Sequence, residues 1–297
     1  MIRKPKILVQ VAGILLLTLS LGLIGQQIWL SWPQISALRL QPGPAAGAFL
    51  LTCLNLLLTA LLWHTILAGL GTTLALRVAL PIWFVAQTAR YVPGNVWHLF
   101  GRVYLMQQVG VAAQTTSQSL LIELLQTILT GLVVALLSLP FWQAQMDWGW
   151  FLLLFPLLLC VLWPSLLHQP LAWASRLFGR KLEMGKIEGQ KLSLLLAGYG
   201  FSWLLHGGSI FLLAIALQPL PFTTFPAITG IFALAWIIGF LSFITPSGLG
   251  VREGALSYLL SSVMPLPQAL ALTLLSRVWL TVAELCCTAF AFCWKKR

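Results

Sequence analysis

Long runs of apolar residues, each bounded by a short polar or basic stretch, dominate this chain. They fall at about 7–30, 46–70, 117–140, 149–168, 192–217 and 268–294. A helix rises 1.5 Å per residue and a bilayer core is about 30 Å thick, so each run is long enough to cross. Two further apolar stretches are interrupted. Residues 78–108 are broken at Pro93-Gly94, and residues 225–264 at Pro246-Ser247-Gly248-Leu249-Gly250. Proline removes a helical donor and glycine frees the backbone, so each stretch reads as two half-helices meeting at a break. The predicted fold is all-α and polytopic: six full spans plus two broken, re-entrant helical hairpins.

Composition removes the main competitor, a soluble domain. Of 297 residues, 59% are hydrophobic and only 8% charged, against about 25% charged in a typical soluble domain. The net charge of +11 does not point to nucleic acid, because the basic residues sit between apolar runs instead of forming a face. Their placement sets orientation. Arg3, Lys4 and Lys6 precede the first span, Arg77 follows the second, Arg176, Arg180, Lys181, Lys186 and Lys191 fill the loop after the fourth, and Lys295, Lys296 and Arg297 end the chain. With these on the cytoplasmic side, only Arg39 lies in an outer loop, which is the positive-inside pattern. The outer loops hold Trp32, Trp142, Trp148 and Trp150, read as an interfacial belt. The basic start followed by an apolar run also resembles a signal peptide, but no small-x-small cleavage site is evident and the run is long enough to span. An uncleaved first helix is therefore expected, in an inner membrane with both termini cytoplasmic. The five cysteines lie in apolar runs with no CxxC pair, so no disulfide framework, metal site or cofactor is expected.

Parity then shapes the broken stretches. Both basic loops stay inside only if each broken stretch crosses an even number of times, and the short arms 78–92 and 95–108 favour re-entrance. Each half then has two spans, a broken hairpin and a third span, with opposite orientations: an inverted repeat, 1–140 and 149–297, joined by an outer loop. The register agrees, since Gly94 to Glu123 and Gly248 to Arg277 are both 29 residues. Secondary transporters use such repeats around a midplane site.

Charges inside hydrocarbon are functional candidates by default. Here they are Arg90, Arg102 and Glu123 in the first half and Arg252, Glu253, Arg277 and Glu284 in the second. Guanidinium forks suit phosphate oxygens and keep their charge, and half-helix N-termini after each break would add partial positive charge. An anionic, phosphate-bearing headgroup fits this set. Purely structural pairing, for example Arg277 with Glu123, competes with that reading, and Arg90 and Arg102 could instead snorkel to the cytoplasmic surface. Asn95 stands at a helix-start position as an N-cap, with His98 one turn past the break as a headgroup donor or a core hydrogen-bonding residue. His64 and His206 lack carboxylate companions. Gly250 and Gly254 form a GxxxG step that could bring helices close. No GxSxG, HExxH or phosphate-cradling loop is present, so nothing argues for a hydrolase, protease or ATPase.

Arg90-Tyr91-Val92-Pro93-Gly94-Asn95-Val96-Trp97 followed by Gly101-Arg102, and Thr245-Pro246-Ser247-Gly248-Leu249-Gly250-Val251-Arg252-Glu253-Gly254-Ala255, resemble the two signatures of the lysylphosphatidylglycerol synthase transmembrane-region family. The resemblance covers essentially the whole chain. It implies a flippase-like membrane domain, as in bacterial multiple peptide resistance factors, which move aminoacylated phosphatidylglycerol between leaflets. By carry-over, Arg90, Pro93, Gly94, Arg102, Pro246, Gly248, Gly250, Arg252 and Glu253 match motif positions. The bifunctional relatives add a soluble aminoacyltransferase domain, which does not follow Arg297 here, so lipid synthesis is not expected of this chain alone.

The leading expectation is therefore a lipid flippase with Arg90, Asn95, His98, Arg102, Glu123, Arg252, Glu253 and Arg277 contacting the headgroup. A scaffold for a soluble synthase or glycosyltransferase, docked on the basic loop 176–191, is the second. A membrane-embedded transferase using Glu253 or Glu123 as base is the third; paired carboxylates at workable spacing are lacking for it. Membrane lipids are the expected partners and nucleic acid is not, while the lipid, the direction of movement, the coupling ion and the oligomeric state stay open.

Overall fold

The computed structural model describes Trp29 and residues 40–91, 97–142, 189–241 and 250–295. Among them are eight α-helices and no strand: α1 (Pro42–Gly69), α2 (Leu76–Thr88), α3 (Trp97–Gln108), α4 (Ala113–Ser138), α5 (Gly189–Leu217), α6 (Phe225–Leu241), α7 (Val251–Leu260) and α8 (Leu266–Lys295). Helix is the expected answer for such composition, because hydrocarbon offers no partner to a backbone amide and a helix satisfies its own. Even the hydroxyls fold back: Thr52, Thr130 and Thr273 each donate to the carbonyl four residues earlier, at 2.7–2.9 Å.

Helices α1, α4, α5 and α8 coincide with the runs at 46–70, 117–140, 192–217 and 268–294. The spans expected at 7–30 and 149–168 lie outside the described residues, as do both breaks. Five segments are long and apolar enough to cross a membrane: Pro42–Gly69, Ala113–Phe141, Gln190–Leu217, Phe222–Leu241 and Leu266–Trp294. The chain is a multi-pass membrane protein. The segment Phe222–Leu241 lies at the start of the second broken stretch. This first arm of the second broken stretch has 20 residues, enough to cross unaided, because the breaker sits past the middle of its apolar run. In the first broken stretch both arms are short, 13 residues in α2 and 12 in α3.

What turns a helix face inward here is small and polar residues, the usual means of close packing where lipid is as apolar as leucine. Helices α1 and α5 pack most extensively. At their contact Thr52 Oγ1 lies 2.7 Å from Ser209 Oγ, which donates to the carbonyl of Ala48 at 2.8 Å. The remaining substantial helix contacts form mated pairs when α1–α4 are matched in order to α5–α8. Thus α2 packs on α8 and α6 on α4; α3 packs on α4 and α7 on α8; α1 also packs on α8 and α5 on α4. The first arm of each broken stretch rests on the last helix of the other half, and the second arm on the last helix of its own.

Trp142 departs from the interfacial role assigned to it. It is buried, its indole donating to Ser138 Oγ at 3.0 Å, where it caps the end of α4. Gly254 has open space where a side chain would stand, and Gly250 adopts φ +85° at the N-cap of α7. The glycine pair therefore serves a turn and an exposed face, with no helix pressed against both.

Candidate functional site

A cavity of about 170 Å³ lies among the helices, and each of the eight contributes to its wall. The turn after α2 supplies Arg90, α3 supplies His98 and Arg102, α4 supplies Glu123, α7 supplies Arg252 and α8 supplies Arg277. Six of the eight expected headgroup residues thus meet in one chamber, drawn from both broken stretches. Asn95 lies outside the described residues, as do Pro93, Gly94, Pro246 and Gly248. Glu253 stands behind the wall.

Three ion pairs among the described residues organise the charge. Arg102 Nη1 contacts Glu123 Oε2, Arg277 Nε contacts Glu253 Oε1, and Arg90 Nη1 lies 2.9 Å from Glu284 Oε1. Pairing of Arg277 with Glu123, the example of the competing structural reading, is not among these contacts of the described residues. Since α3 packs on α4 and α7 on α8, Glu123 and Arg277 each find a partner on the adjacent helix of their own half, whereas Arg90 and Glu284 pair across the halves. The two pairs within the halves join mated helices with the signs exchanged, arginine on α3 and glutamate on α4 against glutamate on α7 and arginine on α8, although Arg102 and Glu253 stand three residues apart in register.

The surroundings fix each guanidinium differently. Arg102 is 1% exposed, so it does not snorkel. Its Cζ lies 5.0 Å from the Trp63 ring and 5.4 Å from the Trp83 ring, and an aromatic face stabilises a desolvated cation. Both indoles are themselves held, Trp63 donating to Ser119 Oγ at 3.1 Å and Trp83 to Glu123 Oε1 at 3.4 Å. Glu253 serves as a positioning group: Oε2 accepts the Gly250 amide at 2.7 Å while Oε1 receives Arg277. This carboxylate compensates the exposed N–H groups of α7, so that helix end is already occupied by an anion. Arg252 places its Cζ 5.1 Å from the Phe232 ring. Its backbone reaches that depth because residue 239 is glycine; a Cβ built there would come within 2.5 Å of Arg252 Cβ.

Several polar atoms of the lining residues have no hydrogen-bond partner among the described residues: Asn55 Oδ1, His98 Nδ1, Arg102 Nε and Tyr199 Oη. Buried polar atoms are normally satisfied, by protein or by water, and the cavity is large enough for several waters or one small polar group. His206, expected only as a lone histidine, lies 3.2 Å from Asn55 Nδ2 through Nδ1 and packs on Phe232. His64 contacts the Leu74 carbonyl instead. Among the described residues no three His, Cys, Asp or Glu side chains gather as a metal would require. Sequence reasoning missed Trp63, Trp83, Asn55, Tyr199 and Gly239. All are ordinary residues of apolar helices, and only packing reveals which of them face the charges.

The family model described as "Lysylphosphatidylglycerol synthase TM region" matches residues 7–284. No curated protein matches the chain.

Proposed function

Because the chain belongs to the lysylphosphatidylglycerol synthase TM-region family, we propose that it is a lipid flippase that passes an anionic, phosphate-bearing headgroup across the inner membrane. The observation that carries this reading is the shared cavity: Arg90 and Arg252, from two separate broken stretches, line one chamber. Charged side chains at membrane depth are costly unless they serve a polar path or pair with each other. The four arginines and three glutamates of this region leave one formal positive charge, which an anionic headgroup neutralises. The acyl or prenyl tail stays in lipid while the head passes between the helices.

The two halves act as an inverted repeat, with both termini cytoplasmic as the distribution of lysine and arginine requires. The mated helix contacts and the sign-exchanged ion pairs support this arrangement, and alternating access follows when the halves exchange conformations around a fixed midplane site. An enzymatic role is the weaker reading, since Glu123, Glu253 and Glu284 are each engaged by an arginine and a general base needs a carboxylate free to accept a proton.

The test is translocation of a fluorescent phosphate-headed phospholipid in reconstituted vesicles. Wild type equilibrates the label between leaflets, and Arg252→Ala, folded by gel filtration and thermal unfolding, does not. Equal rates for the two would remove the site.

A further inference from the structure

Matching the halves helix by helix leaves one charged pair without a mate. Glu123 corresponds to Arg277, so Glu284, seven residues further on, corresponds to Thr130. Arg90, four residues before Gly94, corresponds to Ile244. Thr130 is buried and its hydroxyl donates to the Gln126 carbonyl at 2.7 Å. By the same register Arg102 corresponds to Leu256 and Glu253 to Leu99, so the Arg102–Glu123 and Glu253–Arg277 pairs are mates at the level of helices, each joining the second arm of a broken stretch to the last helix of its half. Arg90–Glu284 has no mate at that level either, since residues 242–250 carry no charge and α4 carries only Glu123. Of these three ion pairs of the described residues it is the one that joins the two halves, tying the turn after α2 to α8. Its members differ in access: the Arg90 side chain is 20% exposed and lines the cavity, while that of Glu284 is 1% exposed and lies behind. Arg90 is more open than Arg102 or Arg277, at 1% and 11%.

We propose that Glu284 is a resident carboxylate latch that an incoming phosphate headgroup displaces from Arg90, releasing α8 from the first broken stretch. The inference rests on the flippase reading and adds to it a trigger and a selectivity. When two repeats exchange conformations, a pair mated at the level of helices persists in either state. A pair whose counterpart is Ile and Thr forms in only one, so it biases the resting protein toward that state. A ligand shifts such an equilibrium only by binding the two states unequally, and competition for Arg90 supplies that inequality. A phosphate offers the guanidinium fork two or more oxygens and out-competes a single carboxylate, so lipids whose only anion is a carboxylate fail to open the latch.

The test uses full-length protein in nanodiscs with short-chain, water-soluble phosphatidic acid as probe. Glu284→Gln removes the competing charge and binds the probe about tenfold more tightly than wild type, whereas Arg90→Gln binds it at least tenfold more weakly. Hydrogen exchange on wild type needs no variant to fold: saturating probe accelerates exchange severalfold in residues 281–288, and hexanoate does not. Unchanged exchange there, while residues 250–256 become protected by the probe, overturns the latch and leaves the flippase site standing. Weaker binding by Glu284→Gln also overturns it. If the probe protects no segment of wild type, the flippase site itself fails and the latch with it.

Discussion

At the scale of single residues, the charges were legible but their partners were not. Seven ionisable side chains in apolar surroundings stand out in any reading of the sequence. Which carboxylate meets which guanidinium depends on helix neighbours far apart in the chain, and Arg277 turns to Glu253, 24 residues away, instead of Glu123. Glu253 illustrates the cost of reading a motif without packing: the Arg-Glu step suggests two ligands, yet the glutamate is spent on the Gly250 amide and on Arg277. A buried pair is expensive to break from one side, about 3–5 kcal/mol, because the remaining charge stays uncompensated. Arg277→Ala is therefore expected to destabilise the detergent-solubilised protein by about that much in equilibrium denaturation. Glu253→Gln with Arg277→Gln together should cost less than Arg277→Ala alone. A double variant less stable than the single would contradict the pairing.

At the scale of elements, apolar run length located α1, α4, α5 and α8, since crossing a bilayer imposes a minimum length that few soluble segments meet. The described helices stop short of the Pro-Gly signals on either side, α2 ending at Thr88 and α3 starting at Trp97, α6 ending at Leu241 and α7 starting at Val251, and Pro93, Gly94, Pro246 and Gly248 themselves lie outside the described residues. Arm length was less legible. Nothing in the motif at 245–255 announces that α6 with its preceding turn reaches 20 residues. Close approach of α6 and α7 rests on Gly239. Gly239→Ala places a methyl group against the Cβ, Cγ and Cα of Arg252, where backbone must move, and overpacking of this kind costs about 1–3 kcal/mol. The variant is expected to lower the unfolding temperature and to slow lipid translocation more than an alanine at exposed Gly254 does. Equal effects at the two glycines would show that the α6–α7 contact does not set the position of Arg252.

At the scale of the molecule, two sets of helices in the same order build one cavity from their interruptions. The shared 29-residue spacing from Gly94 to Glu123 and from Gly248 to Arg277 was the hint of this order in the sequence, and α2 packs on α8 as α6 packs on α4. The most direct test is native mass spectrometry of the purified protein for retained phosphate-headed lipid. Wild type is expected to carry such a lipid through detergent exchange. Arg90→Gln with Arg252→Gln should lose it, and Arg77→Gln, altered at an exposed arginine outside the cavity, should keep it. Equal retention by all three proteins would contradict the account.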